Sequence, residues 1–478
     1  MSMNRSYDVV VVGGGPVGLW LAGELRLAGV RTVVLERLDE PNPHPKALGI
    51  QPRTLEVFAM RGMEKQFLAE GITLPRWHFG ILDEKLDFTT LATPYPFVLA
   101  FPQVRTEAIL DERARSLGAD ILRGRTVTGL VEDDASVTVE VAGGETFTAQ
   151  YVVGADGSGS TVRRAAGIAF PGTDSTVFGY LGDVVLDDPP PMGRTVHNEF
   201  GAVLTAPIPG GFVRVSGYDA TDQEPGRREV TLEELRATAV RIAGTDFGMR
   251  DPRWLSRFGN ATRHAETYRK GRVLLAGDAA HIHFPAGGVG LNTGIQDAMN
   301  LGWKLAARVQ GRAGEELLDS YHDERHPLGA DVAEHTLAQT ALITATSPEG
   351  QALRSLFGKL IASQPSMSRE LANKLAALDV RYPPTRPNAH PLVGTRIAEL
   401  ATHLRDGHAV LLNASEKPLD SAAEIAAGMG IDTVAVAPEF IDATVALVRP
   451  DGYFWWATNG VDADAETRAA LAQLGTTF

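Results

Sequence analysis

The sequence predicts an α/β fold: a mostly parallel sheet interrupted by an inserted antiparallel sheet and followed by a smaller C-terminal α/β domain. Three observations predict it. Two buried-strand patterns with glycine-rich ends, at residues 9–12 and 273–275, stand more than half the chain apart. Between them, runs within residues 170–270 alternate with period two. Beyond a proline-punctuated stretch at 381–391, three further short strand patterns appear.

Val9-Val10-Val11-Val12 is a β-branched run of the kind buried on both faces of a sheet. Gly13, Gly15 and Gly18 follow, and then a helical stretch at residues 19–28. Gly13 suits the tight turn, Gly15 lets the backbone approach a pyrophosphate, and Gly18 lets the helix pack closely on the sheet with its positive end toward phosphate. Pro16 fits the first helical turn, with Val17 beside it. The second strand, residues 32–35, ends at Glu36, placed to hold ribose hydroxyls, and Arg37 joins it in the cofactor-binding set. This is a Rossmann-like fingerprint; by itself it does not separate flavin from nicotinamide.

A loop rich in proline, Asp39-Glu40-Pro41-Asn42-Pro43-His44-Pro45, cannot be helical and leads to Lys46, Arg53 and a helix at 54–61. Residues 73–102, with Trp77, His78, Phe79, Tyr95 and Phe97, read as an excursion from the nucleotide fold. Gln103 opens a helix to about residue 117, residues 127–141 read as a meander with a Gly143-Gly144 turn, and Tyr151-Val152-Val153-Gly154-Ala155-Asp156-Gly157 returns to a buried strand. Alternating runs at 184–186, 202–207 and 212–217 suggest a substrate sheet. A helix follows the strand at Val273, with Leu291, Ile295, Ala298, Met299, Gly302, Trp303 and Ala306 on one face. The C-terminal strands are expected at 409–412, 433–437 and 444–448. Domains are therefore drawn at 1–72, 103–169 and 271–380 for the cofactor, 73–102 and 170–270 for the middle substrate domain, and 392–478 for the C-terminal domain.

Val273-Leu274-Leu275-Ala276-Gly277-Asp278-Ala279-Ala280-His281 and the first glycine stretch are most economically explained as two ends of one flavin-dinucleotide site, which makes redox chemistry the leading reading. Asp278 sits just past a parallel strand, where open α/β sheets bind ligands, and can accept from ribityl hydroxyls. Gly287, Gly288 and Gly290 permit close backbone approach. The N–H groups at Leu291 and Asn292 open a helix whose positive end would stabilise a reduced isoalloxazine. His281 and His283 lack a third ligand in their proline-glycine loop, so no metal is expected.

Acidic residues outnumber basic ones, 59 to 45, for a formal charge of -14, which disfavours nucleic acid and anionic membrane as partners. There is no Cys, so disulfides, thiolate metal sites, thiol catalysis and cysteinyl flavin attachment are excluded, and a flavin such as FAD is expected to bind non-covalently. The apolar N-terminal run leads into the glycines and not into a cleavage site, and no segment is a membrane span; a cytoplasmic enzyme is expected.

These motifs resemble the class A flavoprotein aromatic hydroxylases, FAD-dependent monooxygenases, in the branch acting on aromatic polyketides and rifamycins. The resemblance rests on the Gly13, Gly15, Gly18 fingerprint with Glu36, on Asp156-Gly157-Ser158-Gly159-Ser160-Thr161-Val162-Arg163, and on Gly277-Asp278 through Pro285, Gly288, Gly290, Leu291, Asn292 and Asp297 to Leu305. It implies a glutathione-reductase-type FAD domain, a thioredoxin-like C-terminal domain unable to do thiol chemistry, and NAD(P)H, NADPH in preference, as a transient reductant. It also carries Lys46, Gln103 and Asp156 over as FAD contacts; Lys46 stands where relatives have Arg, keeping charge but losing the planar fork.

The implied activity is hydroxylation of a phenolic polycyclic or naphthoquinone-type polyketide through a flavin C4a-hydroperoxide, in antibiotic tailoring or inactivation, with rifamycin-like substrates included. Baeyer-Villiger insertion and a flavin oxidase remain alternatives. Pro285, Gly290, Leu291 and Asn292 form the reacting loop, with no side-chain acid or base assigned, His281 included. Phe79, Arg194 and Arg214 are the candidate contacts to the aromatic substrate; dioxygen is the co-substrate, and homo-oligomers are compatible with the sequence.

Overall fold

Strands apolar on both sides can satisfy themselves only in the middle of a covered parallel sheet, and that is where Asn4–Val12 lies. In the computed structural model, which describes residues 4–191, 194–223, 229–384, 386–415 and 417–474, it pairs in parallel with Thr32–Leu35 on one side and Thr146–Gly154 on the other. Val273–Leu275 and Asp120–Leu122 extend the sheet, again in parallel. Val9, Val10, Val11, Val33, Val34, Val152, Val153 and Leu274 are completely buried.

Register decides what this sheet can do. Val12 stands opposite Leu35 and Gly154, and Gly154 stands opposite Leu275. The chain therefore leaves all these strands at one edge, bringing together Gly13, Glu36, Ala155 and Ala276, the residues that follow. The helix Pro16–Leu27 packs on Gly290–Val309. Gly302 allows that approach, since a Cβ there would stand 2.7 Å from Glu24 Cβ. The meander Val127–Glu132 and Val137–Val141 adds antiparallel to the first half of Thr146–Gly154, turning at Gly143 and Gly144, both at positive φ.

The middle sheet is antiparallel, in the order Thr195–Asn198, Gly201–Ile208, Phe212–Asp219, Phe178–Leu186, Met249–Gly259. The helix Leu232–Ala243 closes its apolar face; Thr231 and Glu234 form a reciprocal cap at its start and Gly244 ends it in the left-handed conformation. The period-two runs at 184–186, 202–207 and 212–217 fall inside these strands.

The excursion 73–102, expected to group with the middle sheet, touches that sheet through Ile81, which shares a core with Ala202 and Tyr218, and through Lys85, which donates to Thr195, and it packs on the other side as well. Its hairpin Arg76–His78 and Lys85–Asp87 and the small sheet containing Val98–Ala100 share a core with the helices Glu315–Ile343, Pro348–Ser363 and Pro365–Ala376, through Leu342, Ile361 and Leu375. The sequence showed the aromatics but not these distant partners. The proline-punctuated stretch 381–391, of which residue 385 lies outside the described residues, is irregular yet pinned: Tyr382 is buried, with its ring 4.2 Å from that of Tyr453.

The C-terminal sheet has the order Asp432–Ala435, Val410–Asn413, Val445–Val448, Phe454–Thr458, the first pair parallel and the others antiparallel. The last strand completes a hairpin with Gly452 at its turn, beyond the three strands expected from the sequence, the last of which ends at residue 448. The connecting segment enters the cofactor domain: Arg449 donates to Glu324, Asp451 accepts from Trp303, and Arg53 donates to the Asp451 carbonyl. Trp303 is thus a core residue at this junction. Among the described residues no helix is long and apolar enough to cross a membrane.

Candidate active site

At the sheet edge the phosphate loop is built by sterics. Gly13 takes φ 109°, and a Cβ on it would stand 2.3 Å from the Ala155 carbonyl oxygen; a Cβ on Gly18 would stand 2.0 Å from the Gly13 oxygen. Gly15 is the opposite case, since a Cβ there would meet nothing within 4 Å. It faces open space in front of a twelve-residue helix whose N-terminus no side chain caps, and Pro16 opens that helix as expected. Val17 reaches sideways: one of its methyls lies 3.0 Å from the position of a Cβ on Gly277, so the two glycine motifs touch.

Glu36 accepts from the Gly14 amide at 2.6 Å and the Leu38 amide at 2.9 Å, and remains partly open. Arg37 is exposed and makes no hydrogen bond among the described residues. Across from Glu36, Gln103 holds Ala47 by a double contact, its amide N–H donating to the Ala47 carbonyl and its Oε1 accepting from the Ala47 amide. Its side-chain nitrogen donates to Glu107, whose carboxyl pKa is raised by burial, against the pull of Gln103 and Lys46. Lys46 is exposed, with its charge near Glu107. Glu107 had no signal in the sequence, being one acid among many on a polar helix.

The Gly277-Asp278 turn is held from behind. Asp297 accepts from the Gly277 amide, from His281 Nε2 at 2.7 Å and from Arg325 Nε at 2.7 Å, all buried. Burial alone would raise the Asp297 pKa, but Arg325 and His281 outweigh it and hold the carboxyl below the ordinary range. His281 is thereby committed to structure, while the Asp278 side chain is left exposed beside the turn. Arg163 ties this turn to the Asp156 loop by donating to the Ala279 and Ser158 carbonyls. Asp156 does part of its work locally: Oδ2 accepts from the Thr161 and Val162 amides, whereas the buried Oδ1 has no partner. Arg325 was not recognisable beforehand, because its partner lies 28 residues away on another helix.

The loop from Pro285 to Asn292 is likewise fixed. Asn292 accepts from the Gln51 amide and donates to the Gly49 and Gly288 carbonyls, and the Gly287 carbonyl accepts from Gln51 and Trp77. Gly288, at φ 69°, faces open space, and Gly290 with Leu291 begins a twenty-residue helix with no side-chain cap. Asn292 is therefore a strut for the loop through its side chain, with only its backbone N–H left for a ligand.

The three candidate substrate contacts fall in three places. Phe79 is buried against Phe357, ring centroids 5.9 Å apart, and belongs to the core of the excursion. Arg194 is exposed just before the edge strand of the middle sheet. Arg214 is buried and engaged: it pairs with Asp183 and donates to the Pro45 and Lys46 carbonyls, so it clamps the loop that carries Lys46. His44 of the same loop stacks on Trp254, 5.3 Å between centroids.

An FAD fits these residues. Two uncapped helix N-termini, two glycines whose missing Cβ atoms leave open space, a partly open acid at the second strand and a buried, unpartnered Asp156 oxygen face one continuous edge, as an extended molecule with a pyrophosphate requires. Among the described residues no group of histidines or acids could hold a metal ion.

The chain is similar to known proteins along its whole length. A family described as FAD binding domain matches residues 6–336, and one described as aromatic-ring hydroxylase, C-terminal, matches residues 385–476. An aromatic compound monooxygenase of Bacillus subtilis is 45% identical, covering 99% of this chain and 98% of its own. A rifampicin monooxygenase of Streptomyces venezuelae is 44% identical, covering 94% and 95%. The structure of an anhydrotetracycline hydroxylase from Streptomyces rimosus superposes with a TM-score of 0.86 at 42% identity, covering 97% and 98%. With its strand ends in register and both glycine motifs on one edge, the chain belongs to the FAD-dependent aromatic-ring hydroxylases, a family of flavoprotein monooxygenases.

Proposed function

We propose that the protein uses NAD(P)H, NADPH in preference, and dioxygen to hydroxylate a phenolic polycyclic or naphthoquinone-type polyketide, in the tailoring or inactivation of an antibiotic. One observation carries the cofactor half of this reading: Val12, Gly154 and Leu275 end their strands in register, with Val17 touching Gly277. The substrate half is supported by the similarity to monooxygenases named for rifampicin and anhydrotetracycline.

When bound, FAD supplies acceptance of a hydride and transfer of one oxygen atom from dioxygen to an electron-rich ring. In this reading the amides of the phosphate loop and the N-terminus of Pro16–Leu27 hold the pyrophosphate. Glu36 with Arg37 holds the adenosine end, and Lys46 and Gln103 line the opposite wall. Asp278 and Asp156 orient the ribityl chain. Pro285, Gly288, Gly290, Leu291 and Asn292 present backbone to the ring system, the helix N-terminus stabilising negative charge there. The middle sheet, with Phe284 of the loop packed 5.3 Å from Phe258, excludes water from the reacting face. The C-terminal domain, thioredoxin-like in strand order and free of cysteine, packs through Arg449 and Asp451 and takes no part in redox.

Substrate-stimulated NAD(P)H oxidation under labelled dioxygen, with tetracyclic, angucycline and ansamycin substrates, tests this. One labelled oxygen in a hydroxylated product supports the reading. Peroxide with unchanged substrate would make the protein an oxidase, and an ester product would assign ring insertion.

A further inference from the structure

Ile81 occupies a turn position that its side chain disfavours. The Leu82 amide donates to the Phe79 carbonyl, closing a four-residue turn whose central residues, Gly80 and Ile81, stand at φ 55° and 53°. Turns with both central φ positive favour Gly, Asn and Asp, and a β-branched residue there is strained because its Cβ crowds the backbone. Gly80 obeys the rule, since a Cβ on it would stand 2.9 Å from Leu342 Cβ. Ile81 breaks it, and strain of this kind persists only where the surroundings over-determine the conformation.

Arg354, buried on the helix Pro348–Ser363, does so. Its Nη1 donates to the Gly80 and Leu342 carbonyls at 2.9 and 2.7 Å, and its Nη2 donates to the Ile81 carbonyl at 2.6 Å. No carboxylate among the described residues lies within ion-pair distance of it. Burial lowers its pKa to about 10, with Asp83 and Glu84 pulling the other way, so it stays charged at neutral pH and makes charge-assisted bonds to backbone.

Held in this way, the Ile81 side chain is buried in a core with Ala202 and Tyr218 of the middle sheet, Ile343, and Phe284 and Ala286 of the flavin loop. Phe284 and Ala286 are buried while Pro285 between them is exposed, so the loop presents Pro285 by sinking its two neighbours into that core. A second tie runs beside the first. The Gly80 amide donates to Gln339 Oε1, and Gln339 stands 3.2 Å from where a Cβ on Gly287 would be, in the same loop.

We propose that Arg354 is a positioning residue for the flavin loop: by gripping the Gly80 and Ile81 carbonyls it wedges the Ile81 side chain into the core that seats Phe284 and Ala286, and so sets where Pro285 stands. Arg354 acts through Ile81 and not by contact with cofactor or substrate. The inference rests on the reading of residues 285–292 as the loop that faces the flavin.

The test is the visible circular dichroism of the FAD-loaded protein, because the isoalloxazine ring is achiral and takes its signal from the groups around it. Arg354→Met and Ile81→Gly should each shift that signal in the same direction with FAD content unchanged. The double variant should read as Ile81→Gly alone, since a residue that acts through another adds nothing once the other is gone. Ile361→Ala, which loosens the same helix from its core with Leu342 and Leu375, should lower the melting temperature and leave the signal as it is. Product formed per NAD(P)H consumed should fall about tenfold in Arg354→Met, within the ~100-fold that misplacing reacting groups by ~1 Å can cost.

An unchanged signal or an undiminished product yield in Arg354→Met would overturn the proposal. If that variant does not fold, the same results in Ile81→Gly would do so. A double variant that departs from Ile81→Gly, a shifted signal in Ile361→Ala, or a native protein that takes up no FAD would overturn it as well. Oxygen transfer by the native protein, with signal and yield both kept in Arg354→Met, would leave the proposed function standing and this inference fallen. The expected pattern of signals without oxygen transfer to any substrate would do the reverse.

Discussion

Val17 and Gly277 touch: a Val17 methyl stands 3.0 Å from where a Cβ on Gly277 would be, and 2.5 Å from where one on Gly294 would be. One residue of the first motif thus rests on the strand-end turn of the second and on the helix behind it. Separated by 260 positions, the two motifs can form one ligand site only because their strands end in register.

The glycines of the first motif should respond differently to the same substitution. Gly15→Ala adds a methyl into open space, so the ligand-free fold should keep its melting temperature while FAD affinity falls on the order of tenfold or more. Gly18→Ala drives a Cβ into the Gly13 carbonyl and should lower the melting temperature itself. Calorimetry with FAD titration separates them; equal effects on both quantities would refute this division of labour.

Asp297 and Arg325 form a buried pair whose partners cannot be lost singly. Arg325→Met should cost about 3–5 kcal/mol in unfolding free energy, because Asp297 stays buried and charged. FAD affinity should fall as well, since Asp297 holds the Gly277 amide. Denaturant titration of the FAD-free protein reads the first effect and flavin titration the second.

Acid should weaken the fold through the same kind of group. The folded-state pKa values of Asp297 and Glu324 lie below their ordinary values. Their contribution is therefore complete above the unfolded carboxylate range, near pH 4, and is lost as pH falls through the depressed folded values. Melting temperature recorded from pH 6 to pH 3 should drop less steeply in Glu324→Gln, which already lacks one such group, than in the native chain.

Asn292→Ala should uncouple turnover. It strips partners from the buried Gln51 amide and Gly49 carbonyl, at about 1–3 kcal/mol, and frees the loop against which the reaction is shielded. Peroxide formed per NAD(P)H consumed should rise, with FAD still bound. A ratio equal to that of the native enzyme would count against the loop as the water barrier.

Much of the cofactor half was legible in the sequence because backbone geometry writes itself in glycine and β-branched residues. The turn at Gly13, the acid at Glu36 and the strands flanking them are local patterns of that sort. The middle sheet was legible for the same reason, through its period of two. What could not be read were contacts made by charge across the fold. Arg214 looked like a free cation on a substrate sheet, but its partners, Asp183 and the Pro45 and Lys46 carbonyls, are supplied by strands and loops distant in sequence. Phe79 shows the same limit for apolar residues: an aromatic in an irregular stretch could line a ligand or fill a core, and Phe357 decides for the core.

FAD stoichiometry is the most direct measurement. Purified protein supplied with FAD should bind one per chain, and Asp278→Ala and Gly15→Ala should each weaken that binding, although the two positions belong to strands that neither pair with each other nor adjoin in sequence. A native protein that takes up no FAD, or variants at both positions that bind it as tightly as the native chain, would contradict the account.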